Sequence, residues 1–513
     1  MKFKRRFLAA MSIVLSLTMF AACGNKEGDK KPSDNGNKET PKEFVFGSSM
    51  GGPKVLDPHI DWSGWETCMI GLTETLFQLN DKLEVEPLLA KGYKNIDPNT
   101  WEIEIKDEAK FSNGEKVTAE KVVENLKRAG EKNKRADALK DAEFKVEGQK
   151  ITVKTKDMYA AFINTLCDPN TSIIDIAASK DIEKAPVATG PYKISKFEPK
   201  KIVELVPNEN YWNGKPKLSK ITEKYISDPA TMSMALQSGE IQAAINLSED
   251  VLEALKKDDK NYTVNQAKSS RVYMLYYNLE KLPDEKVREA ISYAIDRETI
   301  ANKLLNGTVT PAKGPFPIGL EYGGKELEVP EYNPDKTKEI LTSLGYKENN
   351  GVMEKDGKPL VIELRLYKRF AMEQIATEVQ AQLKKVGITA NTSLGEWTYL
   401  KTGEYGAGFY SVLTLPIGDP YYVLYDTWGK TGVANYNKFE NPKVEELFSK
   451  MKKEFDTKKR REIALEIQKE ALKSNAHFFL GHINNNVVSK KNVEGLRVTP
   501  LDYTLIDVNT TVK

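Results

Sequence analysis

Between Gly24 and Lys42 the chain has no aliphatic or aromatic side chain, only Gly, Asn, Lys, Glu, Asp, Pro, Ser and Thr. Such a stretch buries no apolar surface and has nothing to set against the entropy of ordering it, so it is expected to stay disordered. Whatever folds must therefore begin near Glu43. Ahead of this stretch, Lys2, Lys4, Arg5 and Arg6 precede an apolar run from Phe7 to Ala22, about 16 residues long, and Phe20-Ala21-Ala22 leads into Cys23. A bilayer span needs roughly 20 apolar residues. Ser12, Ser16 and Thr18 dilute this run further. Residues 1–22 thus read as a cleaved export signal rather than a transmembrane helix.

The arrangement around Cys23 resembles the lipobox of bacterial lipoproteins, with Phe20 where that pattern more often has Leu. The resemblance implies lipid attachment at Cys23, residues 23–42 as a flexible tether, and a body held at the extracytoplasmic face of a membrane. Acyl chains on that thiol anchor a protein without a transmembrane helix.

The body, about 470 residues, exceeds what one hydrophobic core serves, so two or three domains are expected. Four of the 76 basic residues lie in the leader, leaving 72 against 74 acidic ones, and this balance carries no nucleic-acid footprint. Beyond Cys23 there are two cysteines, Cys68 and Cys167, read as buried thiols, and no paired-cysteine metal motif.

Strand and helix patterns alternate along the body. Glu43–Phe46, Trp101–Lys106, Ile151–Thr155, Ile202–Val206, Val272–Leu279, Leu360–Tyr367 and His477–Ser489 read as strands. Val117–Arg128, with Thr118 near its start, Val287–Leu305, Met372–Val386 and Glu445–Ser474, broken near Asp456, read as helices. The expected class is multi-domain α/β without internal repeats.

Several phrases become specific in combination: Leu56-Asp57-Pro58-His59, Phe111-Ser112-Asn113-Gly114-Glu115, Thr189-Gly190-Pro191-Tyr192, Asn208-Glu209-Asn210-Tyr211-Trp212, Val287-Arg288-Glu289-Ala290-Ile291 with Ala294-Ile295-Asp296-Arg297, and Gly418-Asp419-Pro420. In this order they resemble the peptide and nickel solute-binding proteins of ABC importers, solute-binding family 5. The resemblance implies a three-domain periplasmic-binding-protein-like fold of the large, type II class, with two lobes around a ligand cleft. Mapped onto this chain, the base domain is 41–80, 187–270 and 488–513, an inserted second domain is 81–186, and the closing lobe is 271–487. It also implies a permease and its ATPase as partners, a monomer, and no obligatory cofactor.

The ligand is harder to read. Dipeptide binders of the family place a carboxylate a few residues before Gly-Asp-Pro, where this chain has Leu415-Pro416-Ile417; nickel binders place a histidine in the following loop, and Tyr421–Tyr436 has none. Of three histidines, the resemblance places His59 and His482 at the cleft, and imidazole is a common ligand for nickel, copper and zinc. His477 falls on the opposite face of a regular strand from His482 and reads as packing or surface. Arg135 matches the place of an arginine that metal-chelate binders present to a carboxylate-rich chelator, and a guanidinium grips a carboxylate with two parallel bonds. Asp419 fits a role in its own turn ahead of Pro420 and is kept as a ligand candidate. Among the aromatics Trp397, Tyr399, Tyr421, Tyr422 and Trp428, with Tyr421 and Trp428 favoured, some are expected to wall the cleft and at least half to be core.

Gly47-Ser48-Ser49-Met50-Gly51 fits the nucleophile-elbow pattern of serine hydrolases, but Gly52-Pro53 does not start the helix that an elbow requires. The expectation is therefore a binding protein without chemistry of its own, for a small solute, leaning to nickel or another metal chelate carried as cargo and held through His59, His482 and Arg135. The alternatives are a di- or oligopeptide importer's receptor and, more remotely, a surface receptor for peptide signals or a hydrolase.

Overall fold

The computed structural model describes residues 42–49, 52–369 and 371–513. The leader, Cys23, the tether up to Pro41, and Met50 and Gly51 of the elbow-like motif lie outside the described residues. Among the described residues no helix is long and apolar enough to cross a membrane.

Two long neighbouring strands, Tyr262–Tyr277 and His477–Lys490, form the middle of an eleven-stranded mixed sheet. On one side Thr389–Leu394, Val361–Leu366 and Ala407–Leu413 extend it; on the other come Ala243–Ile245, Glu43–Ser48, Lys220–Tyr225, Ile202–Pro207 and Tyr192–Glu198, while the short Val309–Pro311 pairs with the second long strand off this path. The pair runs in one register from Tyr262↔Lys490 to Lys268↔Asn484, slips between Lys268 and Val272, and resumes at Val272↔His482. After the slip the first strand also pairs with Ala407–Leu413.

Beyond the slip, alternate residues point to opposite faces, and both faces are buried. Tyr273, Leu275 and Tyr277 enter one core with Ile291, Leu341, Val379 and Phe409. Val272, Met274 and Tyr276 enter another with Trp428, Phe448, Ile467 and Phe479. That is why Val272–Tyr277 reads as an unbroken apolar run rather than an alternating one.

A separate four-stranded sheet, in the order Ala90–Asp97, Thr100–Ile105, Lys150–Lys154, Glu143–Glu147, packs under helix Ala119–Lys132. Thr118 caps that helix, its hydroxyl accepting from the Lys121 amide, which satisfies a backbone donor left without an intrahelical partner. Val122, Leu126 and Ala129 close over Trp101, Ile103 and Ile151.

One expected helix is broken. Val287–Leu305 divides into Glu285–Tyr293, a turn Arg297–Thr299 and a π-helical turn Ile300–Leu304. Asp296 accepts from the Thr299 amide and so starts a new turn, while its own amide donates to Gln382 Oε1 at 2.7 Å instead of continuing the helix. Asp456 acts likewise on the expected break, capping Thr457–Leu472 after Pro442–Met451.

Helix Ser63–Met69 carries Glu66, whose carboxyl is buried together with that of Glu223 on strand Lys220–Tyr225. Glu66 Oε2 and Glu223 Oε1 have no hydrogen-bond partner, and the Tyr225 hydroxyl donates to Glu223 Oε2 at 2.8 Å. Burial pushes both acids up to about 8, for Glu223 with help from Glu66. Folding therefore tightens their hold on a proton: the stability they allow is fully present below the ordinary value of 4.5 and is lost as pH rises through about 8. The wild-type melting midpoint is expected to fall over that interval by the equivalent of a few kcal/mol. The Glu66→Gln/Glu223→Gln double variant should show a markedly flatter profile in thermal melts across the same pH range; an identical slope would refute this account.

Candidate functional site

The Asp57-Pro58-His59 phrase is spent on internal support. The Arg128 guanidinium forks onto Asp57, Nη1 to Oδ1 at 2.8 Å and Nη2 to Oδ2 at 2.5 Å, and Nη1 also donates to His59 Nδ1 at 2.6 Å. The other ring nitrogen, Nε2, donates to the Ser172 carbonyl at 2.9 Å, so His59 is the neutral tautomer with both nitrogens committed. Burial lowers its pKa to about 4. The expectation that His59 is an open metal ligand is corrected: the arginine needed to neutralise Asp57 also takes its lone pair.

Arg135 sits two residues after Asn133, whose side chain accepts from the Arg135 amide and donates to the Asp61 carbonyl, tying it to the His59 segment. The Arg135 Nε and Nη2 both reach Asp168 Oδ2, at 2.9 and 2.7 Å. Its guanidinium carbon lies 4.8 Å from the Trp62 ring centroid and 5.7 Å from that of Tyr422. Burial opposes the charge, but Asp168 and the facing Tyr503 and Tyr422 outweigh it and hold the group above its ordinary range.

Around Arg135 the fold gathers groups that the sequence patterns did not single out. Arg271 is at the register slip of the long strand, Arg369 follows strand Val361–Leu366, and Asp502 and Tyr503 come from the C-terminal segment. Burial and the neighbouring Arg369 lower Arg271 to about 10, against the pull of Asp502, Tyr367 and Tyr503. Burial raises Asp502 to about 7 despite the two arginines beside it. Asp426, near Arg135 and hydrogen-bonded to Tyr422, is raised by burial to about 6. Tyr410 and Tyr436, ring centroids 5.9 Å apart, and Tyr367 complete an aromatic wall. The one available sequence signal was a charge, Arg271, opening a strand segment otherwise apolar on both faces; Arg369, Asp502 and Tyr503 have no local signature.

The remaining expected site residues lie elsewhere or are occupied. Asp419 Oδ1 accepts from the Tyr421 amide at 2.9 Å, and Oδ2 takes Arg460 Nε and Nη2 at 3.0 and 2.6 Å in a fully buried pair. Its role is its own turn plus that ion pair, which corrects its candidacy for ligand. Trp428 is core, 1% exposed, its indole donating to His477 Nδ1 at 3.0 Å. That contact corrects Trp428 as a cleft wall and settles His477 as packing. Tyr421 stacks on Tyr425 and meets Phe448 and Tyr159 edge-on. Tyr399 is buried with its hydroxyl on the Arg365 and Phe409 carbonyls, and Trp397 lies exposed under Lys401.

His482 is buried opposite Val272 and against the backbone of Gly314 and Phe316, no side chain holds its ring, and burial lowers it to about 3 against the pull of those backbone groups. Among the described residues no cluster of three or more metal-binding side chains exists. Cys68 and Cys167 are free thiols. Both line a cavity of about 250 Å³ with Glu74, Tyr211, Arg497 and Tyr503. None of Arg135, Arg271 and Arg369 borders that cavity, so charge and aromatic chemistry, not empty volume, mark the candidate site.

Chemically, Arg271 and Arg369 among tyrosines, beside the Arg135–Asp168 pair and with two acids pushed toward neutrality, form an environment for carboxylate groups. Comparison with known proteins places the chain in a family. Residues 84–435 match the family described as bacterial extracellular solute-binding proteins, family 5. The chain is 31% identical over 454 residues to the nickel-binding protein NikA of Staphylococcus aureus, covering 86% of this chain and 90% of that one. It is 27% identical to the oligopeptide-binding protein AppA of Bacillus subtilis, covering 98% and 97%. The crystal structure of S. aureus NikA in complex with Ni(L-His)2 superposes with a TM-score of 0.80 at 29% identity, covering 92% of this chain and all of that one. The chain therefore belongs to the family 5 extracellular solute-binding proteins, the substrate-capturing components of ABC importers of peptides and nickel.

Proposed function

We propose that the protein captures a small metal chelate bearing carboxylates, with nickel held by an amino acid such as histidine as the leading candidate, and delivers it to a membrane permease without chemistry of its own. The observation that carries this reading is the cluster of Arg135, Arg271 and Arg369, contributed by segments far apart in the chain, beside Tyr367, Tyr410, Tyr422 and Tyr503. A peptide's ammonium group needs an available carboxylate. Asp419 is spent on Arg460, Asp502 lies among guanidiniums, and Asp426 is raised by burial and hydrogen-bonded to Tyr422. The relatives that bind nickel support the same choice, while AppA keeps a peptide as the second reading.

Within this reading His482 is the histidine retained for metal contact, because, unlike His59 with Arg128 and His477 with Trp428, it is held by no other side chain. We further infer the division into base (41–80, 187–270, 488–513), insert (81–186) and closing lobe (271–487), supported by the register slip between Lys268 and Val272. Lipid attachment at Cys23 belongs to the same proposal, and mass spectrometry of the membrane-extracted protein should find acyl chains on that residue.

Titration calorimetry with nickel plus L-histidine, nickel alone and a mixed peptide pool tests the cargo. Binding is expected only with nickel and histidine together. Arg271→Ala or Arg135→Ala should weaken it by about 10- to 100-fold, the usual worth of a hydrogen bond to a charged group. His482→Ala should remove binding while leaving the melting midpoint within a few degrees. Peptide binding without nickel uptake would overturn the reading in favour of a peptide receptor.

A further inference from the structure

The inference concerns how the site closes, and it rests on the solute-capturing role but not on the identity of the cargo. One segment of the closing lobe, Leu415–Tyr422, meets both of the other domains. The Tyr503 hydroxyl donates to the Pro416 carbonyl at 2.9 Å, and Asn164 Nδ2 donates to the Ile417 carbonyl at 2.9 Å. At Gly418, with φ of +72°, a Cβ atom would lie 2.5 Å from the Leu83 carbonyl oxygen, so the backbone at Leu83 of the insert approaches at a distance that only glycine admits. Tyr159 meets Tyr421 edge-on at 6.1 Å, and Arg135 lies over Tyr422.

The same corner is braced from within the lobe. Arg460, paired to Asp419, also donates to the Met451 and Glu454 carbonyls at 2.6 and 2.8 Å, binding the loop to the end of helix Pro442–Met451. The next residue along, Lys452, accepts from the Ala160 amide at 3.2 Å, a further bond to the insert. Every one of these contacts is between protein groups, and none needs a ligand.

We propose that Leu415–Tyr422 is a clasp that holds the lobes together without ligand, and that Asn164 and Tyr503 are the positioning residues that set the closed fraction. Apparent affinity scales with the fraction of molecules in the binding-competent state. A clasp that raises that fraction therefore tightens capture of any cargo equally, whereas the arginine cluster chooses among cargoes.

The test uses the full chain without ligand. Hydrogen exchange is followed at the peptide containing Ala160, whose amide is bonded across the seam, alongside the radius of gyration from small-angle scattering. In the Asn164→Ala/Tyr503→Phe variant the Ala160 peptide is expected to lose protection and the radius to grow, with core peptides such as that containing Val379 unchanged. Loss of two neutral hydrogen bonds corresponds to about a 5- to 100-fold weaker apparent affinity. Asn164→Ala alone, a residue outside the arginine cluster, should lower affinity for whichever cargo binds and leave the ranking of cargoes intact. If the double variant fails to fold, the single one carries the same readouts. A ligand-free wild type as open and as fast-exchanging as the variant would overturn the proposal, as would a variant indistinguishable from wild type. Because exchange and scattering are read without ligand, failure of the nickel reading leaves the clasp standing, and the reverse also holds.

Discussion

Two strands, Tyr262–Tyr277 and His477–Lys490, run side by side through the sheet and share backbone hydrogen bonds with strands at both ends. Everything else is arranged around that ladder. Breaking it would strand buried backbone donors and acceptors, which is costly, and its register already shifts between Tyr273 and Met274 and, more widely, between Lys268 and Val272. Arg271 sits in that interval, so a charge that faces the candidate site is attached to the point where the strand changes its pairing.

Burial of polar groups follows two patterns with different consequences. Asp57 with Arg128 and His59, and Asp419 with Arg460, are complete: each charge has its partner and the remaining hydrogen-bonding capacity is used. Such networks stiffen their surroundings and have nothing left to offer a ligand. Arg271, Asp502 and Asp426 form a perturbed set, the acids raised and the arginine lowered because the neighbours only partly compensate burial. Clusters of perturbed groups from distant segments mark functional sites more reliably than complete pairs do.

The local patterns were read well where short-range physics decides. Thr118 and Asp456 cap the helices they precede, and Met372–Lys385 and Val361–Leu366 lie where periodicity placed them. Reading failed at Val287–Leu305, where the apolar spacing was right but Asp296 competed for backbone amides and broke the helix. It fell short at Tyr262–Tyr277, whose first half is polar and exposed enough to resemble a loop. Those residues are strand because a partner supplies the ladder, not because of their own preference.

Sequence alone determined the alternation of elements, the caps, and the ordered phrases that identify the family, because each depends on residues within a turn or two of one another. Of the polar residues it singled out, Arg135 lies beside the candidate site, while Arg369, Asp502 and Tyr503 carried no local signal. Only the tertiary structure decided which of them remain available. His59 and Asp419 are consumed by Arg128 and Arg460, Trp428 by His477, while Arg271 meets Asp502 from a distant C-terminal segment. The free energy of a lone pair or a charge is set by what lies beside it in space, and that neighbour is chosen by the packing of whole domains.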